Sequence, residues 1–198
     1  MRAAGNRLRG WAITALSGLL AALLRGLARA PRIRQALRAR ATHALAEGDL
    51  LFVCHGNINR SAFAAELARR RWPARNVREA GTRARAGRPS SPLAISAAER
   101  WQIDLRSHRS EPLDGTLLRG APALFVFDAR NLVELALRHP LALRRAHLLG
   151  WLCSAPGGPE IADPHGGPPS AYEAAFGQIA AALLDGGEHN GPRLLADA

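Results

Sequence analysis

Short unbroken apolar runs alternate along this chain with stretches of helical period. Leu50-Leu51-Phe52-Val53 and Ala123-Leu124-Phe125-Val126-Phe127 are apolar throughout, as expected of strands covered on both faces. Residues 76–80 and 146–150 supply two further strands. Between them, residues 61–72, 92–102, 113–119 and 130–138 read as helices, the first closed by Trp72-Pro73. Residues 169–185 form a last helix with Tyr172, Phe176 and Ile179 at core spacing. Strands alternating with helices predict an α/β fold, a small doubly wound parallel sheet of about four strands with helices on both faces.

The first 49 residues depart from that alternation. Trp11 to Leu24 is apolar without a charge, shorter than the ~20 residues that span a bilayer comfortably. Beyond Pro31, four arginines share a helical stretch with Ile33, Leu37 and Leu45. That pattern suits an amphipathic helix on an anionic membrane surface. The expected organisation is a basic, partly amphipathic extension over 1–49, one domain over 50–186 and a disordered tail over 187–198.

Charge sharpens this division. The formal net charge is +11, and every basic residue other than histidine is arginine. Residues 1–49 hold nine arginines against Glu47 and Asp49. Basic residues are not interleaved with aromatics, which argues against a nucleic-acid partner. Two cysteines do not make a disulfide framework. One of them, Cys54, closes the first apolar run, and a reactive thiol there suits the reducing cytoplasm.

Candidate chemistry centres on that cysteine. After Cys54 come His55-Gly56-Asn57-Ile58-Asn59-Arg60-Ser61, and then the helical pattern opens. A strand, a tight loop and a helix N-terminus in that order turn backbone N–H groups inward around an anion. Those seven residues are the candidate phosphate-binding loop, with Cys54 on its floor. Arg60 can close on a phosphate through two parallel hydrogen bonds, which a lysine cannot. Holding a thiol as thiolate about three pH units below its ordinary range takes about 4 kcal/mol, and a helix terminus supplies at best ~2. The loop N–H groups, Arg60 and the Ser61 hydroxyl must contribute the rest.

A second candidate lies in Ile161-Ala162-Asp163-Pro164-His165, before the last helix. Expelling a phenolate at pH 7 is uphill by about 4 kcal/mol, and a placed carboxylic acid contributes about 10²–10⁴ in rate. Asp-Pro is also a common turn opener.

Leu51 to Ala64 resembles the signature of the low-molecular-weight protein tyrosine phosphatases. The resemblance continues through Ala80-Gly81-Thr82, Gly87-Arg88-Pro89 with Pro92, Ile103 to Arg109, and Asp163-Pro164. It implies hydrolysis of phosphotyrosine through a phosphocysteine, without metal or cofactor. Cys54 would be the nucleophile, Arg60 the phosphate clamp and Asp163 the general acid and base. For bacterial, exopolysaccharide-type members it implies a phosphotyrosine protein as partner, such as a tyrosine kinase; the thiol chemistry and the basic extension together point to a cytoplasmic or peripheral-membrane location. It places Arg85 and His165 at the substrate mouth.

Some positions depart from the family. Asn59 stands where a second cysteine is frequent, Ala62 where proline is usual, and Glu79 where a serine commonly buttresses the loop asparagine. Three other readings remain. A phosphate-binding module without turnover has no use for Asp163. Arsenate reduction needs further neighbouring thiols, and the chain has only Cys153 besides Cys54. Arginine phosphatases tend to carry threonine where this chain has Ile58.

Overall fold

The computed structural model describes residues 2–120, 123–153 and 158–185. The expected tail, 187–198, lies outside them. The chain runs α1 (Arg2–Ala28), α2 (Pro31–Ala46), β1 (Leu50–Cys54), α3 (Arg60–Arg71), β2 (Val77–Gly81), α4 (Pro92–Glu99), α5 (Gly115–Gly120), β3 (Ala123–Val126), α6 (Ala129–Arg138), β4 (Ala146–Leu148) and α7 (Pro169–Asp185). Short 3-10 segments flank β4.

The four strands form one parallel sheet in the order β2-β1-β3-β4. Every residue of β1 and β3 is buried, which explains their unbroken apolar sequence. From this centre the chain winds outward both ways, through α3 to β2 and through α6 to β4. Right-handed crossovers in opposite directions put α3 and α6 on opposite faces. The winding reverses between β1 and β3, so ligands are expected beyond their carboxyl ends. Cys54 is the last residue of β1, in register with Gly81 of β2. On the α3 face, α7 packs against α3 and α4, and the Phe63 and Phe176 rings stack with centroids 4.1 Å apart.

The first 49 residues are mostly helical, and much of that helix packs on the domain. Ala41 and Leu45 of α2 are fully or almost fully buried in the core, with Leu37 packed against it. The face assigned from sequence to a membrane, Leu37 and Leu45 with Ile33, is therefore mostly covered by protein; Ile33 alone remains exposed. α1 packs along α6 and buries Leu24. α4 ends earlier than its pattern suggests, because Gln102 adopts φ 57° and the Ile103 N–H returns to the Ala98 carbonyl, a left-handed helix stop.

Candidate active site

The stretch from Cys54 to Ser61 wraps around its own thiol. The Asn57 N–H points to Cys54 Sγ at 3.2 Å, and Ser61 Oγ lies 3.1 Å from the same sulfur. Asn57 takes φ 50°, a left-handed conformation that asparagine tolerates better than most residues. Its side chain holds the loop from within: Nδ2 donates to Ser61 Oγ at 2.9 Å, and Oδ1 accepts from the Glu111 N–H at 2.7 Å. Asn59 caps α3 without a side-chain hydrogen bond to it. The first-turn N–H groups, which have no acceptor within the helix, are thus left toward the loop.

Gly81 backs the loop closely. A Cβ there would lie 2.8 Å from the His55 carbonyl and 2.9 Å from the Asn57 nitrogen. Only a glycine lets β2 end against the loop at this distance.

Arg60 is 1% exposed, one of the most enclosed side chains in the protein. Nη1 donates to Asp128 Oδ2 at 2.5 Å and to the Ile161 carbonyl at 2.8 Å; Nη2 lies 3.0 Å from Asp163 Oδ2. Phe127 lies under the guanidinium, 5.4 Å away. Burial by itself would lower the pKa of Arg60; Asp128, Asp163 and the Cys54 sulfur outweigh it and hold it above its ordinary value. Nε is buried with no partner among the described residues, a donor left over for an anion.

The cavity above Cys54 has a volume of about 170 Å³. His55, Gly56, Ile58 and Asn59 line one side, and Asp163, His165, Arg83 and Arg88 also line it. The structure thus gathers Cys54, the loop, Asp163 and His165 at the end of β1. Arg85 corrects the expectation from sequence: it is exposed and not among the lining residues. Its carbonyl is held by Ser110 Oγ, and Arg88, just past Gly87 at φ 80°, lines the cavity.

Two departures from the resemblance acquire structural partners. Glu79 Oε1 lies 3.6 Å from His108 Nδ1, and His108 Nε2 is 2.7 Å from the Asn57 carbonyl. The carboxylate thus reaches the loop through an imidazole. Asn59 Oδ1 accepts from Ser91 Oγ at 2.7 Å, and the same Ser91 oxygen caps α4 by accepting from the Ala94 N–H.

Several residues of this site carry no local signal. Asp128 is the strongest case: Oδ1 caps α6 through the Asn131 N–H while Oδ2 holds Arg60. Its place directly after the apolar run of β3 was the one available pointer. Glu134 is another. His55, Thr82 and Arg130 converge on it from three different elements.

Residues 49–185 match the family described as low molecular weight phosphotyrosine protein phosphatase. The chain belongs to that family. Its class of activity is that of a protein-tyrosine-phosphatase. Among relatives, it is 34% identical over 130 residues to a probable low molecular weight protein-tyrosine-phosphatase EpsP of Ralstonia nicotianae, covering 66% of this chain and 87% of that one. The fold is similar to the crystal structure of the tyrosine phosphatase AmsI of Erwinia amylovora, with TM-score 0.65 and 25% identity over 70% of this chain and 89% of that one. It is also similar to the YwlE arginine phosphatase of Geobacillus stearothermophilus, with TM-score 0.63 and 29% identity over 70% and 90% of the two chains. The matched region begins at residue 49, so the family domain excludes α1 and α2.

Proposed function

We propose that the protein hydrolyses phosphotyrosine in proteins by way of a phosphocysteine on Cys54. The observation that carries this reading is the sulfur held at the loop floor by the Asn57 N–H and Ser61 Oγ, with Asp163 in the same cavity. A phosphate enters the loop and meets its N–H groups and the Arg60 guanidinium, whose spare Nε supplies a donor. The arriving dianion competes with Asp163 for Arg60, and the released carboxylate, open to solvent, takes up a proton from water and faces the leaving oxygen as the acid. Cys54 Sγ attacks phosphorus, the P–O bond to the tyrosyl oxygen breaks, and Asp163 transfers its proton to that oxygen. Water then attacks phosphorus and gives its proton to Asp163. The S–P bond breaks and inorganic phosphate leaves. Asp128 touches no reacting atom in this scheme; it positions Arg60.

The partner we infer is a phosphotyrosine-bearing protein of the cytoplasm, such as a bacterial tyrosine kinase of exopolysaccharide assembly. Support comes from relatives whose names carry tyrosine phosphatase activity. The similarity to an arginine phosphatase raises a second substrate, against which stands Ile58, an apolar side chain lining the cavity. Turnover of a phosphotyrosyl peptide and of a phosphoarginyl peptide by the full chain, beside Cys54→Ser, separates these readings. Loss of phosphotyrosine turnover in the variant is the expected result. Turnover of phosphoarginine alone would replace the substrate, and no turnover of either would leave a binding module.

A further inference from the structure

α1 is covered on one side only. Leu24 is buried, and Leu20, Ala21 and Ala28 pack toward the domain. On the other side Trp11 is 80% exposed and Leu19 71%, with Leu16 and Leu23 also open. At about 100° per residue these four fall within roughly 140° of arc. Ala12, Ala15 and Ala22, exposed as well, fill the spaces between them. The apolar surface continues past the helix: Leu16 and exposed Leu137 of α6 line one groove together with Arg83, and Leu141 beyond it is exposed. A contiguous apolar face of this kind marks a docking surface.

Charge selects the occupant. Residues 1–46 contain nine arginines and no aspartate or glutamate. A second copy of the chain would bring a segment of the same net positive charge against this face. An anionic bilayer offers the opposite charge at its headgroups and an apolar boundary beneath them. Gly10–Ala28 is long and apolar enough to cross a membrane, but one flank is already committed to the domain through Leu24, so the helix lies in the membrane plane. We propose that α1 seats the protein on an anionic lipid surface, with Trp11, Leu16, Leu19 and Leu23 in the acyl boundary and Arg29 among the headgroups.

This seat adjoins the candidate active site at two points. Arg83 lines both the α1 groove and the cavity above Cys54. Arg25, near the end of α1, pairs at 3.4 Å with Glu160, three residues before Asp163. Resting on the phosphatase reading, the consequence is a mouth that opens beside the bilayer, with phosphotyrosines in membrane-proximal segments as the accessible class.

The test needs no activity. The full chain is sedimented with phosphatidylcholine vesicles and with vesicles containing phosphatidylglycerol, at low and high salt, beside Leu19→Glu/Leu23→Glu. Both leucines are exposed, so the variant keeps its fold, checked by circular dichroism. The proposal expects binding to the anionic vesicles at least about tenfold above the neutral ones, weakened by salt, and lost in the variant. Equal sedimentation of variant and parent overturns it, as does no binding to anionic vesicles. So does a lipid-free dimer that the variant dissolves, since a second copy then occupies the face. Resistance to alkaline carbonate extraction also overturns it, because the helix then spans the bilayer.

Discussion

His55 Nδ1 lies 2.9 Å from both carboxylate oxygens of Glu134, joining the residue after the candidate nucleophile to the middle of α6. Thr82 Oγ1 donates to the same carboxylate, and Arg130 Nε lies 3.2 Å away. Burial pushes the Glu134 pKa up, but the bonds from His55 and Thr82, with the charges of His55 and Arg130, bring it down to about 2. A folded value below the unfolded one means stability that is complete above about 4.5 and lost as pH falls toward 2. A gap of that size corresponds to about 3 kcal/mol. Glu134→Gln is expected to be destabilised at pH 7, with the gap to the parent more than halved at pH 3 and closing only toward pH 2. Urea midpoints at the two pH values check this, and a gap independent of pH would refute it.

Asp163→Asn tests the proton transfer. The variant keeps the size of the side chain but cannot protonate the leaving oxygen. We expect kcat to fall by about 10²–10⁴ for a phenyl phosphate, and by much less for a nitrophenyl phosphate, whose leaving group needs no proton. A steeper dependence of rate on leaving-group acidity is the signature. Equal losses for both substrates would assign Asp163 a structural role.

Gly81→Ala places a methyl group within 2.9 Å of two loop backbone atoms. Neither can move without shifting the Cys54 cradle. Overpacking of this kind costs about 1–3 kcal/mol, and activity is expected to fall further than stability accounts for. Thermal melting together with kcat/KM at a temperature where the variant is fully folded separates the two effects.

Ser91→Ala removes the α4 cap and the hydroxyl that donates to Asn59. Loss of the cap costs about 1 kcal/mol, and an unsatisfied Asn59 Oδ1, almost fully buried, adds about 1–3. A destabilisation above that of a lone cap, measured by denaturant unfolding, is expected. Ser91→Ala combined with Asn59→Ala should recover part of it.

What could be read in advance divides by distance along the chain. β1, its closing cysteine and the first turn of α3 are neighbours in sequence, so a strand-loop-helix pattern exposes Cys54 and Arg60 together. α7 carried its own period and emerged at Pro169–Asp185 as expected. Asp128 and Glu134 were not legible, because each is an ordinary helical or capping acid until folding brings Arg60 or His55 against it. Arg85 was expected at the mouth in place of Arg83 and Arg88, which line the cavity, because no periodicity records which arginine of an irregular loop turns inward. The first helices are a different case. The apolar stripe of α2 was visible, but its partner is the distant 3-10 segment at Leu149–Leu152, so burial by protein could not be told from burial in lipid.

Cys54 ends β1, one of the two interior strands of the sheet, and that position governs how the protein would age under heat. Amides of such a strand exchange with solvent only when the whole domain opens, unlike those of a surface loop. The candidate nucleophile therefore shares the fate of the most protected part of the molecule. The strand that carries the sulfur should outlast the loop groups around it, Asn57 N–H and Ser61 Oγ, so activity can be lost before the sheet melts.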